Sequence, residues 1–367
     1  MEIIVGGRSV YLNSLGSQMD QGFISLYSAH FGHQALCWED FESLSIQFFT
    51  ANPVPPGIHD AYFNNFTTIW SDFLSIGNYD KAEDIWRRAL SPALSWESSN
   101  PGKFIHKGTP YYFWGMTVLL RGDLDKGYVL VHRAVEEDIR TTGKQVPDTP
   151  GFFLASLNYA EVGQAFRDWV LQQAQYLTPK VEKYSSQYGR NFTLEDFRKR
   201  FLGAPPSTDI VFLFTYTIAR LMRFEAIPKH AIISKFGGQF EAHLLFDISL
   251  VIDAALRAKN PTKWKFIDQA EFLSQRASLP LTNKQLQDIN SAYVANFDKT
   301  LEDTISGVLV LPDGTILSRI QSDIAVAYGV RNRGAHEVSF VPAILSHFND
   351  ILQILMNVIF LVADFLY

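Results

Sequence analysis

An all-α fold is the class that this sequence predicts, and three observations support it. Apolar residues recur at helical spacing over long stretches, as in residues 236–258 and 284–305. A pattern of helix, tight turn and helix occurs twice, with the turns 45 residues apart. The composition is 47% apolar and 14% aromatic, which supplies a large core for helix packing. We expect three regions, at residues 1–50, 51–202 and 203–367.

The N-terminal region is predicted to contain a short strand followed by helix. The strand falls within residues 1–12, where three β-branched residues precede two glycines. The helix covers residues 23–49 and is rich in aromatic side chains. His30, His33 and Cys37 would share one face of that helix. A zinc site is one interpretation, but no second cluster of ligands accompanies these residues, which favours an ordinary mixed helix surface.

The second region begins with a proline-rich break at residues 52–57 and continues as paired helices. The apolar stripe of a first helix comprises Phe66, Ile69, Trp70, Phe73 and Leu74. A turn is expected at residues 77–80. The stripe of the second helix comprises Ala82, Ile85, Trp86, Ala89 and Leu90. Pro92 is expected to end this second helix.

The same pattern returns around a turn at residues 122–125. The paired helices on either side contain Tyr111, Trp114, Gly115 and Val118, then Gly127, Val131, Ala134 and Val135. This spacing resembles the tetratricopeptide repeat, most closely at residues 78–89, while Gly127 and Val131 depart from the alanine and the aromatic residue usual there. A third pair at residues 151–178 matches only loosely. The resemblance implies a surface that binds a protein or ligand trigger, and a helical scaffold without a ligand is the alternative.

A polar stretch at residues 181–201 is predicted to be a helix that joins two domains. Residues 203–207 are rich in Gly and Pro and mark the boundary. Beyond it, long apolar helices with antiparallel neighbours predict a bundle. The expected helices cover residues 210–224, 236–258, 284–305, 320–330 and 340–367, with a small hairpin inserted around Pro-Asp-Gly at residues 308–317.

Charge and hydropathy narrow the function classes. A net charge of −6 excludes a protein that binds nucleic acid through overall positive charge, so any such contact must be local. The single cysteine, Cys37, cannot form an intramolecular disulfide and fits a reducing compartment. No signal peptide is expected, and we expect a cytoplasmic protein. The apolar stretch at residues 351–363 falls short of the ~20 residues that cross a bilayer, so a core or dimer helix is expected rather than a membrane anchor.

The most specific chemistry lies at residues 331–336, which read Arg-Asn-Arg-Gly-Ala-His. The guanidinium of Arg331 is permanently charged and can neutralise a phosphate without a metal. The imidazole of His336 can move a proton near neutral pH. Held together, the two groups could carry out metal-free chemistry at a phosphodiester. The plain alternative is a polar turn in which both side chains cap a helix end.

In this segment Arg331 is followed directly by Asn332, and His336 comes four residues after the asparagine. This pattern, between two helices of an all-helical domain, resembles the HEPN superfamily (higher eukaryotes and prokaryotes nucleotide-binding domains). The resemblance rests on this segment and implies a homodimeric, metal-independent endoribonuclease that needs no cofactor. It implies that Arg331 holds the scissile phosphate, that Asn332 orients the histidine or the phosphate, and that His336 is general acid or base. The 2′-hydroxyl would attack, giving a 2′,3′-cyclic phosphate and a 5′-hydroxyl, and DNA would resist.

Three further residues are candidates for supporting roles. Arg333 adds local charge and is expected at most to bind RNA. Glu337 could pair with either arginine or orient His336, and Glu241 could project toward the cleft as an accessory residue. The sequence has no phosphate-binding glycine loop of either common type. Helical repeats before such a nuclease resemble the architecture of antiviral defence and toxin proteins, and a non-enzymatic adaptor whose bundle only dimerises is the rival class.

Overall fold

A computed structural model describes residues 1–54, 56–204, 207–232, 234–336 and 342–367, apart from the side chains of residues 229, 232, 235 and 334–336. The described chain is helical with one small two-stranded sheet, which confirms the predicted all-α class. It divides into two compact units, Met1–Phe152 and Phe153–Tyr367.

The N-terminal unit begins with two strands and continues as helices. Its strands and helices are β1 (Glu2–Val5), β2 (Arg8–Tyr11), α1 (Ser17–Phe31), α2 (Trp38–Ala51), α3 (Pro56–Asn64), α4 (Thr67–Ser75), α5 (Tyr79–Ser99), α6 (Gly108–Arg121) and α7 (Leu124–Thr142). The division between the units falls within α8 (Pro150–Ala155).

The C-terminal unit contains the remaining helices and a π-helical turn at Arg198–Leu202. Its helices are α9 (Gln164–Tyr188), α10 (Leu194–Phe197), α11 (Thr208–Glu225), α12 (Lys229–Ile232), α13 (Lys235–Lys259), α14 (Phe266–Arg276), α15 (Asn283–Ala295), α16 (Phe297–Ile305), α17 (Arg319–His336), α18 (Pro342–Ser346) and α19 (Phe348–Leu366).

The first twelve residues form a β-hairpin, where the sequence predicts a strand. β1 and β2 pair antiparallel, with Glu2 opposite Tyr11. The two residues between the strands, Gly6 and Gly7, have φ values of 58° and 78°. A two-residue hairpin turn needs positive φ at both central positions, which glycine adopts without strain.

Residues 23–49 form parts of two helices rather than the single helix predicted. α1 and α2 are separated by a loop in which His33 has a left-handed backbone, with φ 53°. His30 therefore does not share a helix face with His33 and Cys37, and the zinc interpretation loses its basis. The Nε2 of His30 instead lies 3.0 Å from a carboxylate oxygen of Asp72.

The two predicted helix–turn–helix patterns are present as helical hairpins. α4 packs on α5, α5 on α6, and α6 on α7. Asp123 caps the N-terminus of α7, since its side chain accepts a hydrogen bond from the backbone of Lys126. A Cβ at Gly115 would lie 2.6 Å from a methyl carbon of Val131. Glycine therefore permits the close approach of α6 and α7 that the small residues predict.

Pro92 does not end α5, contrary to the sequence prediction. The helix continues to Ser99, and Pro92 is buried within it. A proline inside a helix costs ~3 kcal/mol because it removes one backbone hydrogen bond. Burial of Ala93 and Trp96 on the continuing helix offsets that cost, since a fully buried large side chain contributes roughly 1.5–3 kcal/mol.

The C-terminal unit is a bundle built around α19, which contacts α9, α13 and α17. Every residue from 351 to 363 is buried, including Gln353 and Asn357. The Gln353 amide donates to Asn357 at 2.8 Å, and the Asn357 amide donates to the buried carboxylate of Asp323 at 2.9 Å. The polar residues that interrupt this apolar helix therefore bond inside the bundle. Within the described residues, α19 is the one helix long and apolar enough to cross a membrane, and 72% of its most apolar window is buried.

Other helical stretches, in the C-terminal unit, also differ from the prediction. Residues 284–305 are two helices, because the Asn296 side chain caps the start of α16 by accepting from the backbone of Lys299. α14 was not predicted, and the final apolar stretch is divided into α18 and α19. The predicted hairpin at residues 308–317 is a minimal one, with a single bridge between Val310 and Ile316.

The structure divides at 152/153, fifty residues before the boundary that the sequence predicts at 202/203. The reason is that the polar segment expected to be a linker belongs to the bundle. α9 packs on α11 and α19, and α10 packs on α19. Tyr184 of α9 donates a hydrogen bond to Asp364 of α19 at 3.1 Å.

Candidate functional site

The Arg-His segment forms the end of α17 rather than a turn that follows it. The sequence predicts that this helix ends at Val330, but α17 continues to His336. Residues 331–336 contain no proline, and their one glycine costs only about 1 kcal/mol in a helix. Positions 331 and 336 are therefore ~7.5 Å apart along the helix axis and about 140° apart around it. Arg331 and His336 do not occupy one face of the helix.

Two of the predicted site residues are incompletely described. His336 is the last residue of α17, and its side chain is outside the described part. Glu337 lies outside the described residues altogether. Arg331, Asn332 and Arg333 have described side chains, and their contacts define the geometry of the site.

Arg331 is held by a carboxylate and an aromatic ring. Its Nε and Nη2 donate hydrogen bonds to Oδ2 of Asp253 on α13, at 3.2 and 3.0 Å. Its guanidinium carbon lies 5.6 Å from the ring centroid of Phe266 on α14, a cation–π distance. The Arg331 side chain is 22% exposed. These contacts fix the direction of the guanidinium and leave part of it accessible to an anion.

Asp253 also binds Arg257, one helical turn further along α13. The Nε of Arg257 donates to Oδ1 of Asp253 at 2.6 Å, and its Nη2 donates to Oδ2 at 3.1 Å. The Asp253 side chain is only 8% exposed. Two guanidinium groups and one carboxylate give this cluster a net charge of one positive unit. The cluster is thus a local positive site on an acidic chain.

Asn332 is held by two neighbouring polar groups. Its amide donates to the side-chain oxygen of Asn290 on α15 at 3.5 Å, the long end of the hydrogen-bonding range. Its side chain also bonds the Tyr328 hydroxyl one turn earlier, and burial raises the pKa of that phenol. The Tyr328 ring is nearly parallel to Phe266, with centroids 6.0 Å apart. Phe266 therefore supports both Tyr328 and Arg331.

Packing against α15 and α16 sets the position of the last turns of α17. A Cβ at Gly329 would lie 2.5 Å from the ring of Tyr293 on α15, so only glycine fits this approach. The guanidinium of Arg333 lies 5.4 Å from the ring centroid of Phe297 on α16. Arg333, a predicted RNA-binding residue, thus contacts an aromatic ring within the bundle.

Glu241 is not part of the Arg331 cluster. It lies on α13, twelve positions before Asp253, which corresponds to ~18 Å along the helix axis. Burial raises the pKa of its carboxyl. The carboxylate that the structure brings to Arg331 is Asp253 instead.

The residues that complete the cluster were not predicted from the sequence, although one signal was present. They are Asp253, Arg257, Phe266, Asn290 and Tyr328. Asp253 interrupts an apolar run at residues 250–256, and a carboxylate there needs a cationic partner. Arg257 follows it at helical spacing, which identifies one partner. Arg331 is 78 positions away, so its contact with Asp253 depends on the tertiary fold.

The N-terminal unit contains a buried charged cluster of its own. The ammonium of Lys107 is 1% exposed and contacts carboxylate oxygens of Glu97 and Glu137, the second at 3.6 Å. Glu137 is fully buried and also pairs with Arg140 and with Arg133, whose Nη2 lies 2.9 Å from it. Every charge in this cluster has an opposite charge beside it.

A histidine cluster lies close to it in the same unit. The Nε2 of His106 is 3.5 Å from Asp60 and 3.4 Å from Asp138, and its Nδ1 is 2.8 Å from the Thr141 hydroxyl. Burial raises the pKa of Asp138 to about 6. His59 accepts a hydrogen bond from the His106 backbone at 3.1 Å, and both imidazoles line a cavity of about 380 Å³. Among the described residues, no group of His, Cys, Asp and Glu is arranged to hold a metal ion.

The Arg331 cluster combines an accessible cation, a buried counter-charge that orients it, and aromatic support. Such an arrangement can bind a phosphate or carboxylate. Comparison with protein-family models, with curated proteins and with solved structures gave no match to this chain. The functional assignment therefore depends on the residues and geometry of this site.

Proposed function

We propose that this protein is a metal-independent endoribonuclease that cleaves RNA through the ribose 2′-hydroxyl. The observation that carries the proposal is the orientation and partial exposure of the Arg331 guanidinium. It is oriented by Asp253 and Phe266, remains partly exposed, and shares the last turns of α17 with His336.

In this mechanism Arg331 stabilises charge on the phosphate. The hydrogen bonds to Asp253 use Nε and Nη2 of Arg331. Among the described residues no hydrogen bond is recorded for Nη1, so this nitrogen can donate to a phosphate oxygen. As the 2′-oxygen bonds to phosphorus, negative charge grows on the non-bridging oxygens. A guanidinium already fixed in place needs no reorganisation to stabilise that charge.

Proton transfer explains why the active form would contain two copies of the chain. The 2′-hydroxyl loses its proton to a base as the new P–O bond forms, and the 5′-oxygen gains a proton as its bond to phosphorus breaks. One motif supplies one imidazole, and positions 331 and 336 lie on different sides of α17. A homodimer would supply two copies of His336, one as base and one as acid, beside two copies of Arg331.

The remaining parts of the proposal concern context. The helical hairpins of the N-terminal unit would bind a protein or ligand trigger and restrain the nuclease until it arrives. The setting would be antiviral defence or a toxin system, in the cytoplasm. The acidic chain limits RNA contact to the local positive site, since broad electrostatic binding requires a basic surface.

A non-enzymatic adaptor is the second candidate, and one observation favours it. The Arg331–Asp253–Arg257 cluster could be purely structural, because the nearly buried carboxylate of Asp253 needs cationic partners whether or not a ligand binds. The helical hairpins would then bind a protein partner, and the bundle would only dimerise. The two candidates differ in whether Arg331 and His336 are needed for a reaction.

The test is cleavage of single-stranded RNA by wild type, Arg331→Ala and His336→Ala, in buffer with a chelator. Each substitution is expected to reduce the rate by ~100-fold or more, the usual effect of losing a general acid or base or an oxyanion donor. Matched controls are Arg276→Ala on α14 and His347→Ala before α19, which should cleave like wild type. Equal cleavage by all five proteins, or a requirement for a divalent metal, would contradict the proposal.

A further inference from the structure

The end of α13 and the connection from it to α14 carry several positive charges close in sequence to one exposed aromatic residue. Residues 257–265 read Arg-Ala-Lys-Asn-Pro-Thr-Lys-Trp-Lys, with four cationic side chains and no acidic one. The whole chain has a net charge of −6. A stretch of this composition therefore stands out as a local anion-attracting surface.

Trp264 presents its indole to solvent. The side chain is 75% exposed, and the guanidinium carbon of Arg257 lies 6.0 Å from its ring centroid. Exposing a large aromatic ring to water carries a cost of about 25 cal/mol per Å² of apolar surface. Single exposed apolar residues are common, but this ring lies beside Arg257 and between Lys263 and Lys265 in the sequence, which combines the two features that bind single-stranded nucleic acid.

The backbone of the segment is held in one shape from inside the bundle. Gln269 of α14 is fully buried, and its amide nitrogen donates to the carbonyl oxygens of Asn260 at 3.1 Å and Lys263 at 2.6 Å. The Asn260 backbone in turn closes the last turn of α13 by donating to Leu256 at 2.8 Å. A surface ordered before binding loses less conformational entropy when a ligand arrives.

The segment is linked at both ends to the Arg331 cluster. At its start, Arg257 binds the same carboxylate, Asp253, that orients Arg331. Immediately after its end, Phe266 contacts the guanidinium of Arg331. A single strand of RNA bound along residues 257–265 would therefore lead to the proposed phosphate site at Arg331.

We propose that residues 257–265 bind single-stranded RNA beside Arg331, and this inference rests on the proposed nuclease function. One base stacks on Trp264, while Arg257, Lys263 and Lys265 contact backbone phosphates. An RNA base can stack on this indole only if it is unpaired, because the bases of an RNA duplex are already stacked on one another. The substrate class is thus single-stranded RNA, in a loop or an unpaired region.

An anionic membrane surface also attracts lysine and tryptophan, but the segment is a poor membrane anchor. Interfacial binding of that kind uses a continuous apolar helix face inserted into the bilayer. Here Trp264 is the only aromatic residue among residues 257–265, which contain Pro261 and three lysines. RNA fits these features better, and vesicle binding is an outcome of the test.

The experiment measures RNA affinity separately from cleavage, in the full chain carrying His336→Ala so that the RNA stays intact. The probe is a fluorescently labelled 12-nucleotide single-stranded RNA, with the matching RNA duplex as comparison. Adding Trp264→Ala should weaken single-strand binding by about 5- to 150-fold, the range expected for one stacked base. Trp264→Phe should retain most of the affinity. The double variant Lys263→Ala/Lys265→Ala should reduce the slope of log affinity against log salt by ~1.4.

Phe236→Ala is the matched control, since Phe236 is also 75% exposed and lies in the same unit. Its affinity for RNA should equal that of the parent. Equal weakening by both aromatic substitutions, equal binding of duplex and single strand, or Trp264-dependent binding to phosphatidylserine vesicles without RNA binding would each overturn the inference. Far-ultraviolet circular dichroism checks that each variant is folded.

The failure of the two proposals can be told apart. If cleavage depends on Arg331 and His336 but RNA affinity does not depend on Trp264, the docking inference alone is wrong. If RNA affinity depends on Trp264 but no metal-free cleavage depends on Arg331 or His336, the nuclease proposal is wrong.

Discussion

The two units each bury a charged residue between opposite charges, but the balance of charge differs. In the N-terminal unit, Lys107 lies between Glu97 and Glu137, whose other partners are Arg133 and Arg140. Glu136 also pairs with Arg133, so three cations face three carboxylates. In the C-terminal unit, Asp253 lies between Arg257 and Arg331, so two cations face one carboxylate.

That difference separates a cluster that stabilises the fold from one that can bind a ligand. A neutral cluster has no unused charge for an anion, and removing a partner of its buried members, Lys107 and Glu137, leaves an incompletely compensated ion in the interior. The C-terminal cluster keeps one surplus positive charge, which an anion can neutralise. We therefore expect substitutions in the first to lower stability and substitutions in the second to lower anion binding.

The largest stability effect is expected for Glu137→Ala. It removes the carboxylate that contacts Lys107, Arg133 and Arg140, and of the two glutamates that contact the buried Lys107 it leaves only Glu97. The free energy of unfolding should fall by ~3 kcal/mol or more, measured by chemical denaturation. Glu136→Ala is the control, because Glu136 is 47% exposed and pairs with Arg133 at the surface. Similar losses for both variants would contradict a buried structural cluster.

The second-largest loss of stability is expected for Gly329→Ala, which overpacks the helix contact beside the Arg-His segment. Gly329→Ala places a methyl group against Tyr293 at a distance that real Cβ atoms do not adopt. We expect the unfolding free energy to fall by about 1–3 kcal/mol. Because α17 must shift, RNA cleavage should fall as well, whereas Gly115→Ala in the N-terminal unit should cost similar stability without lowering the cleavage rate per folded molecule. Unchanged thermal melting of Gly329→Ala would show that this contact is looser than described.

Asp253→Asn should affect stability less than Glu137→Ala. The arginines that lose their counter-charge are partly exposed and can be hydrated, so we expect a loss of about 1–2 kcal/mol. Cleavage should fall ~10-fold, since Arg331 loses its orientation. If Asp253→Asn lost as much stability as Glu137→Ala and cleaved RNA normally, the Asp253 cluster would have a structural role and no role in cleavage.

The smallest effect is expected in the dependence of stability on pH. Burial raises the pKa of Asp138 to about 6, above its value in the unfolded chain, so the folded protein binds this proton more tightly. The stability that it contributes is therefore present at pH 4 and lost as the pH rises through 6. The nearby His106, at 3.4 Å, acts in the opposite direction to burial and lowers the pKa of Asp138. The melting temperature of Asp138→Asn should fall less than that of wild type between pH 5 and pH 7, and parallel curves would contradict the assignment.

Helical periodicity predicted most of the architecture, and the errors have physical causes. Long amphipathic stretches such as α13 were located well, because their apolar residues follow one period. The prediction that Pro92 ends α5 was wrong, because burial of the following helical turn outweighs the lost backbone hydrogen bond. Asn296 was missed as a cap because the apolar pattern continues on both sides of it.

The geometry of the candidate site could be predicted from the sequence only in part, for a related reason. A local pattern identifies Arg331 and Asn332, since their spacing to His336 is visible in six residues. It cannot identify Asp253 or Phe266 as their neighbours, because those contacts join helices far apart in the chain. Glu241 was chosen on the right helix but about 18 Å from the cluster.

The most direct test of the central claim is an analysis of the ends that the protein leaves on a single-stranded RNA, in the presence of a chelator. We expect fragments with a 2′,3′-cyclic phosphate and a 5′-hydroxyl, absent with Arg331→Ala and with His336→Ala and absent for DNA of the same sequence. Fragments with a 3′-hydroxyl, or cleavage that survives both substitutions, would contradict it.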